Sequence, residues 1–227
     1  MTITHSETDV FTQDPLRFGV GARVTISVMT DNYVEVILNA LDAVDRGGLS
    51  LATGDVSTWV GGHEHDVLAY LTAVTREIAA TGHHASVSIH LSRGCPGEVA
   101  CALPGGAGPR VVTAPQGEVT GLWAAAEWAL YPLGTTTSTA TDDAGRAVEP
   151  EHMTAIYAAI ESTRAAGLYR GSEHYVTRLE GDLGLILGHV TAAWVAVGAS
   201  VQHVTSHLTL SLNSPSHVSA TSLGDHS

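Results

Sequence analysis

The chain has 227 residues, with 23 Asp+Glu against 10 Lys+Arg for a formal charge of −13, and all ten basic residues are arginine. Without lysine there is neither a P-loop amine for the β/γ-phosphates nor a Schiff-base amine, and so acidic a chain is a poor match for nucleic acid, whose affinity comes largely from basic groups that displace phosphate counterions. A hydrophobic content of 44% with 15% charged residues is globular rather than disordered composition. In chain order, Met1–Asp14 is polar with no apolar signal core, and no later apolar run approaches the ~20 residues of a membrane span. A cytoplasmic protein without membrane insertion is therefore expected.

Arg23–Met29 alternates Val24, Ile26 and Val28 with Thr25, Ser27 and Met29, the period of a strand. Val34, Ile37, Leu38, Leu41 and Val44 then recur at three- and four-residue steps, predicting a helix with Asp31 or Asn32 as N-cap and Gly47-Gly48 as its stop. Leu49–Thr53 and Val56–Val60 read as a strand pair turning at Gly54-Asp55. A helix from about His63 to Ala80 and a strand over Ala85–Ser92 complete the unit. The order strand, helix, strand, strand, helix, strand is that of the split βαβ unit.

The unit occurs twice. Tyr33–Gly97 aligns without gaps on His152–Ser216 at a constant offset of 119, the separation of Thr58 from Thr177. The match joins Gly48 to Gly167, Gly62 to Gly181, Leu68 to Leu187, His84 to His203, Ser92 to Ser211 and Pro96 to Pro215. The strand preceding it, predicted over Trp128–Leu133 in the second copy, follows an offset of 104 (Val28 on Pro132), so a loop over 134–149 lengthens that copy. The expected fold is α+β: tandem ferredoxin-like (βαββαβ) repeats with antiparallel sheets and helices on one face of each. Residues 20–97 form the first repeat, 98–121 a Gly/Pro/Ala-rich connector, and 122–216 the second repeat with its inserted loop. The sheet face bearing Ser88, His90 and Ser92 is left to solvent, to the second copy or to a second chain.

Catalytic motifs are scarce: G-x-S-x-G, H-E-x-x-H and C-x-x-C are absent, and no His or Cys cluster has zinc spacing. Neither a metal nor a cofactor is implied. Cys95 and Cys101 read as reduced thiols. Cys95, in a tight turn after a strand, is a conceivable nucleophile, but Ser214 takes its place in the second copy. Thr58 and Thr177 carry hydroxyls between apolar neighbours and need partners, either a ligand or a backbone carbonyl. Asp31 could face a cation or cap its helix. Trp59 and Tyr131 could stack on a flat ring or belong to the core.

Met29-Thr30-Asp31-Asn32-Tyr33, Val56-Ser57-Thr58 and Leu91-Ser92-Arg93-Gly94-Cys95-Pro96-Gly97, with Ala129-Leu130-Tyr131-Pro132-Leu133 and Leu210-Ser211-Leu212-Asn213-Ser214-Pro215-Ser216 in the second copy, resemble the YkoF-like thiamin/hydroxymethylpyrimidine-binding proteins. The resemblance runs from about Gly21 to Ser216. It implies tandem ferredoxin-like repeats, a homodimer, and non-enzymatic binding of thiamin or its hydroxymethylpyrimidine precursor, with a link to a thiamin-precursor transporter in uptake or salvage. It further implies ligand-binding residues among Ser27, Met29, Asp31, Thr58, Trp59, Ser92, Gly94, Cys95, Tyr131, Thr177, Ser211, Asn213 and Ser214. The Leu-Tyr-Pro run of the family stands only in the second copy, where the first has Ile26-Ser27-Val28. Two sites, where both exist, should therefore be unequal. A regulatory or interaction module, and an enzyme acting through Cys95, are the alternatives.

Overall fold

The computed structural model describes residues 13–95, 110–133 and 151–217. A short helix α1 (Pro15–Phe18), capped by the Asp14 carboxylate on the Leu16 and Arg17 amides, precedes β1 (Gly21–Val28). Then come α2 (Tyr33–Asp42), β2 (Ser50–Thr53), β3 (Thr58–Gly61), α3 (Glu64–Ala80) and β4 (Ala85–Arg93). The second half contains β5 (Trp123–Leu133), α4 (Glu151–Ala165), β6 (Tyr169–Glu173), β7 (Val176–Asp182), α5 (Leu183–Val197) and β8 (His203–Leu212). The chain is thus mixed α/β, with an eight-stranded antiparallel sheet and five helices among the described residues.

The strand order is β2-β3-β1-β4-β8-β5-β7-β6. Where the sequence predicts a sheet per copy, the last strands of the two halves pair edge to edge and make one sheet. Each edge strand thereby loses its unpaired backbone groups to the other. The register is symmetric: Ile89 lies opposite Leu208, its own equivalent at the offset of 119, so a pseudo-twofold axis passes through this pair. Ser88 and His207, equivalent in the same way, join across it at 3.0 Å. Val24–Ile89–Leu208–Trp128 form one row across the sheet, each 5% exposed or less.

The helices pack in the row α2-α3-α5-α4 against that apolar side. Helix α5 is apolar all round because it is enclosed by the sheet and by α3 and α4; Leu183, Ile186, Leu187, Val190, Trp194 and Val197 are each at most 1% exposed. Such side chains stabilise the fold by roughly 1.5–3 kcal/mol apiece. Among the described connector residues, 110–121 contain no helix or strand, and Gly117 lies directly on Gly184 and Gly188 of α5. A Cβ on Gly188 would overlap the backbone of Gly117.

Some boundaries move. β5 begins at Trp123 rather than Trp128, because Ala124-Ala125-Ala126 carries too little size contrast to display its alternation. β3 begins at Thr58, leaving Val56 79% exposed in the turn. Asn32 occupies the N-cap of α2 without a side-chain capping bond. The loop over 134–149, Cys101 and the Pro96-Gly97 end of the first turn motif lie outside the described residues.

One buried feature has no apolar signature. Glu64 on α3, Arg93 on β4 and Arg110 in the connector are 3%, 1% and 6% exposed. Glu64 meets the Arg93 guanidinium at 3.3 Å and that of Arg110 at 3.1 Å, while Arg93 also donates to the Val195 and Arg110 carbonyls. Burial pulls the Arg93 pKa down to about 10 against the raising pull of Glu64.

Candidate functional site

β7 pairs with β5 from Trp123 to Trp128, whereas β8 follows β5 as far as Leu133. Beyond Trp128 the second edge of β5 therefore faces the β6–β7 hairpin with no strand between them. The gap is a cleft of about 240 Å³ floored by Trp128, Ala129, Leu130 and Tyr131, walled by Ile156 and Ile160 of α4, and closed by Glu173, Tyr175, Val176 and Thr177 of the hairpin. Apolar and aromatic walls with a few polar groups are what a small flat ligand requires.

Each wall follows from local sequence. Trp128 is fixed in the apolar row, and its indole N–H donates to Ser206 Oγ at 2.9 Å. Tyr131, three residues on, is 48% exposed and so keeps a ring available at the mouth. Thr177 lies opposite Trp128, with its hydroxyl bonded by no described residue. Its counterpart Thr58 is buried and engages Thr53 Oγ1 at 3.1 Å. Glu173 pairs with Arg178 at 2.9 Å, and Arg178 reaches Glu180 at 3.4 Å; the hydrogen bond to Glu173 leads the effects that raise the Arg178 pKa. At the hairpin tip Tyr175 adopts φ 69° and is 94% exposed.

The uncovered sheet face has two further depressions. One, of about 290 Å³, includes Arg23, Trp59, His90, Ser92 and Cys95; the other, of about 850 Å³, includes Met29, Trp123, Glu127, Arg178, Thr209, Ser211 and Ser214. They are pseudo-equivalent: Arg23, Trp59, His90, Ser92 and Cys95 correspond in turn to Glu127, Arg178, Thr209, Ser211 and Ser214. Their floor is polar, and its groups already bond one another, with Ser92–His203 and His84–Ser211 each at 3.3 Å across the β4–β8 seam. Burial, followed by the charge of His207, lowers the His90 pKa; burial, followed by His90, lowers that of His203. In the larger depression the Trp123 indole is stacked on His217 at 3.4 Å.

The residues singled out from sequence thus fall into separate groups. Tyr131 and Thr177 share the cleft; Trp59, Ser92 and Cys95 share one depression, and Met29, Ser211 and Ser214 the other. Ser27 is exposed on the uncovered face, and Asp31 is exposed before α2. Gly94 (φ 95°) and Asn213 (φ 51°) are equivalent turn residues. A Cβ on Gly94 would strike the Gln202 backbone, and the Asn213 amide donates to the Ala79 and His83 carbonyls at 2.8 and 3.1 Å. Both therefore have structural work. Trp128, Glu173 and Tyr175 were not marked out by sequence, although the aromatic-for-aliphatic exchanges Trp128/Val24 and Tyr175/Val56 between copies were a usable signal.

The chain is thus a duplicated α/β unit joined into one sheet, with a small, largely apolar cleft at a strand edge. No helix among the described residues is long and apolar enough to cross a membrane. Residues 19–98 and 147–217 match the YKOF-related family, and the chain belongs to that family. It is 28% identical over 198 residues to the Bacillus subtilis (strain 168) protein named "Putative HMP/thiamine-binding protein YkoF", an alignment covering 86% of this chain and 91% of that one.

Proposed function

We propose that the chain binds thiamin or its hydroxymethylpyrimidine precursor in the cleft beside β5, without catalysing a reaction on it. The lining of the cleft carries this reading: Tyr131 offers an exposed ring, Leu130, Ile156 and Ile160 offer apolar surface over the buried Trp128, and Thr177 and Glu173 are its polar groups. An aminopyrimidine has an amino donor, ring-nitrogen acceptors and two flat faces. The backbone N–H and C=O groups along the edge of β5 at 129–131 suit its polar rim, and the Thr177 hydroxyl adds one further bond. The Glu173 carboxylate is placed to attract a thiazolium cation, although Arg178 draws on its charge. The name of the Bacillus relative is in keeping with this ligand pair.

Around the site, we read 20–97 and 122–216 as ferredoxin-like repeats, joined by 98–121 and extended by the 134–149 loop. A homodimer would use the uncovered sheet face, and a cytoplasmic role beside a thiamin-precursor transporter fits a binder that leaves its cargo unchanged. At ~0.3–0.5 kcal/mol per heavy atom, thiamin with about eighteen heavy atoms binds in the micromolar to high-micromolar range. Isothermal titration with each compound tests the reading. Saturable binding is expected, weakened about fivefold by Thr177→Val through one lost hydrogen bond; a flat trace with both compounds would refute it.

A further inference from the structure

We infer that the groove between α3 and the turn that follows α2 is a second ligand site, and that it takes a small zwitterion, an α-amino acid with an aliphatic side chain. The inference does not rest on the ligand reading above, because the groove shares no residue with the cleft beside β5.

The groove encloses about 300 Å³ between the turn at 43–49 and α3. Asp66, Ala69, Tyr70, Ala73 and Arg76 supply the α3 side, and their three- and four-residue steps put them on one helix face. Alanine at 69 and 73 leaves room where larger side chains would fill the space. Tyr70 is only 4% exposed, and its hydroxyl is bonded by no described residue. Burial raises the Tyr70 pKa and the charge of Arg46 lowers it, so guanidinium and phenol lie within electrostatic reach of each other. Arg46 forms no ion pair with any described residue, whereas Arg76 has Glu77 beside it at 3.3 Å. Asp45 accepts from the Gly47 amide at 3.0 Å and Asp66 meets His65 at 3.1 Å, each through one oxygen.

These charges select the ligand. Arg46 and Arg76 against Asp45 and Asp66 make the lining neutral as a set, on a chain of net charge −13. A simple anion would meet the carboxylates, and a simple cation the guanidiniums. An α-amino acid satisfies both signs: its carboxylate suits Arg46 and the Tyr70 hydroxyl, its ammonium suits Asp66, and an aliphatic side chain covers Val44, Ala69 and Ala73.

The duplication shows that the scaffold does not demand these groups. At the offset of 119, Arg46, Asp66 and Arg76 become Ala165, Leu185 and Val195. Tyr70 becomes His189, which Ser162 already engages at 3.0 Å. The connector also lies on Gly188, the equivalent of Ala69, whereas Ala69 is exposed. The same helix face is thus covered by the chain itself in one half, and open and charged in the other.

Isothermal titration of the full chain with L-leucine tests this, beside 4-methylpentanoate and 3-methylbutylamine, which are leucine without its ammonium and without its carboxylate. The wild type should take up one leucine per chain with a Kd of roughly 0.1–1 mM, as expected of about nine heavy atoms. Each half-molecule should bind at least about tenfold more weakly. Arg46→Ala and Asp66→Asn should each weaken leucine binding roughly 10- to 100-fold through one lost charged hydrogen bond, and Tyr70→Phe about fivefold. Arg46→Ala should leave the melting temperature and the hydroxymethylpyrimidine titration unchanged, which separates binding from folding and this site from the cleft. No saturable binding of leucine, 4-methylpentanoate binding as tightly as leucine, or Arg46→Ala binding leucine like the wild type would overturn the inference.

Discussion

Glu64, Arg93 and Arg110 show how one position can be filled in two ways. At the offset of 119, Glu64 corresponds to Leu183 and Arg93 to Leu212, both fully buried. Where the second half seals its sheet end with two leucines, the first buries an ion cluster that also ties the connector to the Gln13 carbonyl through Arg110. Removing one partner of a buried pair strands the other charge, so Glu64→Ala should cost about 3–5 kcal/mol in urea unfolding. Glu64→Leu with Arg93→Leu and Arg110→Met, which removes all three charges and so strands none of them, should cost clearly less than that single change. A triple variant less stable than Glu64→Ala would contradict the account. The histidines set a second prediction. His90, His189 and His203 have lowered pKa values, all led by burial. Below the ordinary histidine pKa of ~6.5 the unfolded chain takes up protons that the folded chain refuses. Stability from these groups is therefore intact above that pH and lost as pH falls toward their folded values. Melting temperatures between pH 7.5 and 5 should decline, and His203→Gln should flatten the decline.

At the scale of elements, helices and strand faces were legible because burial imposes a period. The three- and four-residue steps of α3 and the alternation of β1 and β4 survive in the fold, whereas α2 forms but leaves Val34 and Leu38 each 53% exposed. Edge pairing was not legible: alternation states which face of a strand is buried, not which edge meets which neighbour, so one sheet and two sheets share a pattern. The early start of β5 escaped for a related reason, since three alanines show no contrast. Helix α5 shows a third limit, because Gly184 and Gly188 read as poor helix residues until the connector is seen lying on them. Gly188→Val should therefore destabilise by at least about 2 kcal/mol despite its better side-chain hydrophobicity, through overlap with Gly117. Thermal unfolding beside Ala196→Val, an exposed position on the same helix, checks it; equal melting temperatures for the two variants would count against the contact.

For the whole molecule, the duplication was the strongest sequence signal, and it extends to the strand registers. Ile89 faces Leu208, and the pairings of β1 with β3 and of β5 with β7 superpose at the same offsets. The candidate site was legible only in part. Tyr131 and Thr177 stood out as a possible platform and hydroxyl, but their meeting place is made by a strand that outruns its neighbour, and pairing length leaves no mark in a single sequence. Divergence between the halves is in the side chains: symmetry supplies two equivalent scaffolds, and Trp128 and Tyr131 stand where the first half has Val24 and Ser27. The most direct measurement is a crystal structure of the protein grown with hydroxymethylpyrimidine. The account predicts the pyrimidine in the cleft between Tyr131 and the Glu173–Thr177 hairpin tip, its rim along the edge of β5. A pyrimidine lying instead on the uncovered sheet face, against Trp59 and Ser92 or against Trp123 and Ser211, would contradict it.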